Sequence, residues 1–229
     1  MLSRVLLPRR HAVLLTVGAL VCALSALGVL AARANAHQSR CEQFAAASVK
    51  RGAMVTGAGE RVVVIGDSWS AGLGLDHPAQ SWPSRLPGRV HVAGFSGSGF
   101  SEKASPCGAV SFADRAPAAL ENGADLVVVE GGLNDFDRTR AEIKAGFARV
   151  LAATAPYRTV VVGPATAPSR AAAVPRVDRL LRHLSDRYGV AYVSTSDLDL
   201  PYLDDQLHLT AAGHQAFGDA VAARIAALD

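Results

Sequence analysis

The sequence predicts a three-layer α/β/α sandwich built on a central, five-stranded parallel sheet. Five short apolar segments rich in β-branched residues recur along the chain. They are near-continuous apolar runs rather than alternating ones, as expected of strands covered by helices on both faces. Stretches of helical composition separate them, so strand and helix alternate throughout.

The strands are expected at residues 61–66, 89–93, 125–130, 159–163 and 190–194. Helices are expected at 111–121, 138–155, 168–188 and 211–228. In the second helix Ile143, Phe147, Val150 and Leu151 share one face. In the third, Val174, Val177, Leu180, Leu181 and Leu184 do so, and in the last, Phe217, Val221, Ile225 and Leu228. At 229 residues, half of them apolar, the chain can bury one sizeable core, so residues 61–229 are read as a single domain. Residues 37–60 read as an arm leading into the first strand.

Residues 1–36 differ from the rest. Arg4, Arg9 and Arg10 precede an uncharged, mostly apolar run over residues 12–32, and Ala34-Asn35-Ala36 follows as a small-x-small pattern. This is the form of an export signal cut after Ala36. The run exceeds the roughly 7–15 residues of a usual signal core and approaches the ~20 that span a bilayer, so an uncleaved anchor is the alternative. Either reading places the domain outside the cytoplasm, secreted or held at the membrane by this segment alone, with the basic flank inside.

That segment also carries the basic balance. Taking its four arginines from the 23 Lys and Arg of the chain leaves 19, against 20 acids. No basic patch stands out, and nucleic acid is excluded as a partner. Of the three cysteines, Cys22 lies in the apolar run. Cys41 and Cys107 remain, and in an exported domain they invite a disulfide. Such a bridge is worth roughly 4 kcal/mol on the chain-entropy account. No CxxC or HxxxH pattern accompanies them, so neither a metal nor another cofactor is expected.

In parallel α/β sheets the ligand site lies beyond the C-terminal ends of the strands. The first strand is followed by GDSWS, the second by GFSGSGF and the third by GGLND. LDDQLHLTAAGH follows the fifth and precedes the last helix. A serine, glycine-rich backbone, an asparagine and an Asp/His pair thus converge on one rim. A serine hydroxyl needs a base to become a nucleophile, and a neutral imidazole held by a carboxylate is such a base. Ser68 and His208 fit these roles. Asp205 and Asp204, three and four residues before His208, can each orient it. Backbone N–H groups at Ser68 and in the glycine-rich loop, with the Asn134 amide, could stabilise an oxyanion.

Taken singly these motifs are weak. GDS at a strand end is more often a turn with a helix cap, and without GK[ST] the glycines do not make a nucleotide loop. In order and at successive strand ends, however, GDSWS, GFSGSG, GGLND and DDQLH resemble the blocks of the SGNH, or GDSL-type, serine hydrolases. The resemblance spans the domain from Arg61 to the last helix and implies a flavodoxin-like fold. It implies Ser68 as nucleophile, Asp205 and His208 as acid and base, and an oxyanion hole from Ser68, Gly97 and Asn134. Phe95 and Ser96 stand where that family often carries an asparagine before its glycine, so Gly99 is the alternative to Gly97. Trp69 replaces the leucine of the name motif and is expected to pack beside the nucleophile, with a part in shaping the pocket the alternative.

The expected activity is hydrolysis of carboxylic esters through an acyl-enzyme on Ser68, by a monomer acting on small-molecule, lipid or sugar esters. Its rivals are an acyltransferase or deacetylase acting on sugar or cell-envelope acyl groups, and a non-catalytic binding module. Asp67, Asp135 and His214 are expected to serve structure, and His77, His91 and His183 have no partners that spacing identifies. For Trp82 and Phe100, core packing and a place in the substrate groove are both open.

Overall fold

The computed structural model describes residues 9–228. Arg4, part of the basic flank of the N-terminal segment, lies outside them. The chain divides after Gln43 into two compact units. Helix α1 (Arg9–Gly52) is continuous, so most of the expected arm is helical. Leu20, Leu24, Leu27 and Leu30 are exposed along its first part. Among the described residues no helix is long and apolar enough to cross a membrane. Cys41 and Cys107 are both disulfide-bonded, whereas Cys22 is a free, exposed thiol.

The second unit holds the sheet. Its strands are β1 (Arg61–Gly66), β2 (Arg89–Gly94), β3 (Leu126–Glu130), β4 (Arg158–Val162) and β5 (Ala191–Val193). All pairings are parallel, in the order β2-β1-β3-β4-β5. The order reverses between β1 and β3, the switch point beyond whose C-terminal ends the ligand crevice of such sheets lies.

Successive side chains of each strand feed opposite layers. Val63, Ile65, Val127, Val129 and Val161 pack with Phe112, Ile143, Phe147, Val177 and Leu181. These come from α3 (Phe112–Ala119), α4 (Arg140–Thr154) and α5 (Val174–Tyr188). Val62, Val64, Val128, Val160 and Val162 pack on the other face with Phe217, Val221 and Ile225 of α6 (Ala211–Ala226). Capping boxes at Ser111/Asp114 and Thr139/Glu142 start α3 and α4, each such cap being worth about 1 kcal/mol.

The element bounds shift from the expected ones where proline intervenes. The helix expected at 168–188 is a 3₁₀ turn at Pro168–Arg170 followed by α5, which starts with Pro175 in its first turn. Proline lacks an N–H and suits a helix start, so each proline opens its own segment.

Candidate active site

A four-residue helix, α2 (Ser68–Ala71), starts directly beyond β1, and Asp67 caps it by accepting the Trp69 N–H at 2.9 Å. Gly66 is required by this tight exit. A Cβ there would lie 2.0 Å from Ser70 Oγ, well inside contact distance. The turn leaves Ser68 only 6% exposed at the C-terminal rim of the sheet.

Across the rim, residues 203–208 form a loop closed by the Leu203 N–H to His208 carbonyl bond of 2.7 Å. Tyr202 and Leu209 pair across its base. Gln206 adopts φ 56°, a left-handed conformation that costs a non-glycine residue about 1–3 kcal/mol unless the surroundings hold it. The fold turns the loop so that His208 Nε2 lies 3.1 Å from Ser68 Oγ. On the other side of the ring, Nδ1 lies 2.5 Å from Asp205 Oδ2. Asp205 Oδ1 accepts the Leu207 and His208 N–H groups, each at 2.9 Å. Partial burial would raise the Asp205 carboxyl, but the bonds from His208 and Leu207 outweigh it and hold the group at about 2. Asp205 therefore stays ionised, with one oxygen fixed by backbone and the other free for the imidazole. Among the described residues no hydrogen bond or ion pair joins the neighbouring Asp204 to His208.

The glycine-rich loop lies beside Ser68. Phe95 to Ser98 make a tight turn closed by the Ser98 N–H to Phe95 carbonyl bond at 3.1 Å. Gly97 supplies the positive φ, +83°, that the third position of such a turn can demand. A Cβ on Gly97 would meet nothing closer than Ser105 Oγ at 3.9 Å, so its backbone faces open space. Gly99 is packed inward, where a Cβ would lie 2.5 Å from Asp135 Oδ2. The Asn134 amide donates to Asp67 Oδ2 at 3.1 Å and to the Ser98 carbonyl at 2.9 Å. It thus bridges the loops after β1, β2 and β3.

Beneath the rim is a polar layer that the motifs do not announce. Glu130, the last residue of β3, accepts the Ser70 hydroxyl at 2.8 Å, and Trp82 Nε1 donates to Ser70 Oγ at 3.1 Å. Arg115 of α3 donates to the Gly66 carbonyl and to Ser98 Oγ, each at 2.8 Å, and also to the Ala93 carbonyl. It ties the ends of β1 and β2 together. Burial lowers its guanidinium to about 10 against the pull of Asp67 and Asp114. Asp135 accepts the Phe100 and Ser101 N–H groups at 3.0 and 2.8 Å. Burial raises Asp67 to about 6 and Asp135 to about 7, despite the hydrogen bonds each accepts. Burial, with Asp67 nearby, raises Glu130 well above the usual carboxylate range. In the sequence Arg115 shows only as one of two adjacent charges in SFADRA, and Glu130 only as a charge closing the run VVVE.

Trp69, Trp82, Phe100 and His214 are interior, whereas His77 and His183 are exposed and His91 is half-buried. Trp82 and Phe100 are fully buried, within the two core clusters. Trp69 is 1% exposed and does not line the crevice. His214 is buried and accepts the Trp82 N–H at 3.3 Å, and burial lowers its ring to about 4. A cavity of about 630 Å³ lined by Leu151, Tyr157, Tyr188 and Val190 lies at the N-terminal ends of β4 and β5, away from the serine.

A serine, an imidazole and a carboxylate in series at the C-terminal rim of a parallel sheet have the form of a serine hydrolase site. The chain belongs to the GDSL-like lipase/acylhydrolase family, whose sequence profile matches residues 64–216. It is similar to Est24, a carbohydrate acetylesterase from Sinorhizobium meliloti, at 25% identity and a TM-score of 0.59, over 75% of this chain and 100% of that one. It shares its fold with an inhibitor-bound aryl esterase of M. smegmatis (19% identity, TM-score 0.60, 75% and 100% covered). It shares it also with a catalytic mutant of Axe2, an acetylxylan esterase from Geobacillus stearothermophilus (17%, 0.56, 75% and 96%). No curated protein sequence matches the chain.

Proposed function

We propose that the protein is an exported esterase that cleaves carboxylic esters through an acyl-enzyme on Ser68. The observation that carries this reading is the unbroken relay from Ser68 Oγ through His208 to Asp205, at 3.1 and 2.5 Å. Ser68 Oγ attacks the ester carbonyl carbon as its proton passes to His208 Nε2. Asp205 holds Nδ1–H and stabilises the imidazolium. The tetrahedral intermediate collapses, the C–O bond to the alcohol breaks, and His208 returns the proton to the leaving oxygen. Water, deprotonated by the same ring, then releases the acid and restores Ser68.

The negative oxygen of the intermediate is held by the N–H groups of Ser68 and Gly97 and by the Asn134 amide. The first two donate to no protein group among the described residues. Asn134 joins by sharing a proton now given to Asp67 or Ser98. A donor of this kind is typically worth about 3–4 kcal/mol in the transition state.

The similarity to a carbohydrate acetylesterase makes short acyl groups, acetyl first, the expected substrates. Placement outside the cytoplasm is supported by the disulfide-bonded state of Cys41 and Cys107 and by the apolar N-terminal segment. The test is labelling with a fluorophosphonate, together with a panel of chromogenic esters from acetyl upward and acetylated sugars. Label on Ser68, and turnover abolished by Ser68→Ala, are expected. A folded protein that does not label there overturns the assignment.

A further inference from the structure

Trp69 follows the nucleophile directly, yet its side chain turns away from the crevice. Its ring stands edge-on to Phe217 of α6, with centroids 5.1 Å apart and planes at 90°. It is tilted against Tyr202 at 6.2 Å. Packing alone would suit many apolar side chains, including the leucine of the family motif. What leucine lacks is a donor, and the indole Nε1–H of Trp69 donates to the Leu207 carbonyl at 3.1 Å. Leu207 lies between the carboxylate and the imidazole of the relay.

The loop holding that carbonyl needs outside support. Gln206 is left-handed, and the bonds from Asp205 to the Leu207 and His208 N–H groups are internal to the loop. They shape the loop but cannot fix its height above Ser68. Among the described residues two hydrogen bonds reach its backbone from elsewhere. The Ser169 N–H donates to the Gln206 carbonyl at 3.0 Å, and the Trp69 indole to the next carbonyl. Only the second comes from the element that carries the nucleophile.

We infer that Trp69 is a positioning residue whose indole N–H, by holding the Leu207 carbonyl, sets His208 at hydrogen-bonding distance from Ser68. The nucleophile and the clamp on its base are thus adjacent residues of one short helix. A shift of that helix carries both together, and the Oγ to Nε2 distance is kept. This role rests on the serine-esterase reading. Without the donor the Leu207 carbonyl is unsatisfied, and the imidazole samples positions from which it cannot take the proton.

The test removes the N–H and nothing else. β-(3-Benzothienyl)alanine placed at position 69 by codon suppression keeps the shape of the ring and substitutes sulfur for the donor. Trp69→Phe, smaller but also without a donor, is the second variant. Melting, kcat and KM on an acetyl ester, the rate of fluorophosphonate labelling and the ¹⁵N–¹H signal of the His208 ring, assigned with His208→Gln, are read together. The expected result is a folded protein with KM within about twofold and with kcat and labelling slowed roughly ten- to hundredfold. The His208 Nδ1–H signal broadens or is lost. Unchanged kcat, labelling and ring signal in the benzothienyl variant overturn the inference. So does a loss confined to KM, which would make Trp69 a substrate contact. If wild type neither labels at Ser68 nor cleaves esters, the esterase reading falls, while the ring signal still decides the role of Trp69.

Discussion

Asp67 Oδ2 accepts the side-chain amide of Asn134 at 3.1 Å, joining the residue before the nucleophile to the loop after β3. The other oxygen, Oδ1, holds the Trp69 N–H. One buried carboxylate therefore fixes both the helix that presents Ser68 and an amide proposed to bind the oxyanion. Asp67→Asn keeps the size but can no longer accept at both positions with full charge. It is expected to lower kcat about ten- to hundredfold with little change in KM. Asp67→Ala also loses the cap and about 1 kcal/mol of stability. Steady-state kinetics and thermal melting of the two variants check this.

The two neighbouring acids of the DDQLH loop are expected to separate cleanly. Asp205 contacts the imidazole and its own loop backbone through three hydrogen bonds. Asp205→Ala should cost roughly 10³–10⁴ in kcat, since the imidazole loses its fixed tautomer and orientation. Asp204→Ala should stay within about twofold of wild type. Equal losses in both would mean that the carboxylates exchange roles during turnover.

The two candidate glycines should fail differently. Gly97→Ala places a side chain at φ +83° in open space, so the backbone is strained by about 1–2 kcal/mol and the fold survives. Its effect should fall on kcat. Gly99→Ala drives a methyl to 2.5 Å from Asp135 Oδ2 and displaces that carboxylate from the Phe100 and Ser101 N–H groups. It should lower the melting temperature more than Gly97→Ala does. Melting curves and kinetics of the pair decide it.

Stability should decline from mildly acidic to mildly basic pH. Asp67 and Asp135 are raised in the folded protein to about 6 and about 7, from an ordinary value of 3.8. Between those values the native state holds protons that the unfolded chain has released, so raising the pH through about 4–7 removes stability. Asp205 acts in the opposite sense at lower pH. Its group is held at about 2, so its contribution is present above 3.8 and is lost as pH falls toward 2. The melting temperature should therefore be higher near pH 5 than near pH 8, and Asp135→Asn should flatten that slope. His214, lowered by burial to about 4, acts in the opposite sense up to its ordinary 6.5. A melting temperature that still rises from pH 6.5 to 8 would contradict the burial of these acids.

β1, β3 and β4 were legible in the sequence because each is a largely buried apolar run ended by glycine or an acid, whereas the edge strands β2 and β5 are half-buried and β5 runs into Ser194. The blocks at their ends were legible because chemistry restricts which residue types can stand there. Less accessible was the layer underneath. Ser70 meets Glu130, and Arg115 meets the ends of β1 and β2, only after α2, α3 and β3 have docked, and no local spacing reports these meetings. Trp69 shows the same limit. Its identity departs from the motif in plain view, but the partner of its N–H lies 138 residues away in sequence. The break between Pro168–Arg170 and α5 could have been read from Pro175, which starts helices and does not continue them.

Ser68 and His208 stand 140 positions apart in sequence. A nascent chain that ends at Val193 already carries all five strands, yet it lacks both the base and the helix that covers one face of the sheet. The capacity to react with an active-site reagent thus arises only when the final segment has emerged from the ribosome and docked. Such a reagent is a stopwatch for the last stage of folding, blind to the sheet's own assembly. Circular dichroism would time the earlier stage, and the interval between the two signals would measure how long the protein is folded but inert.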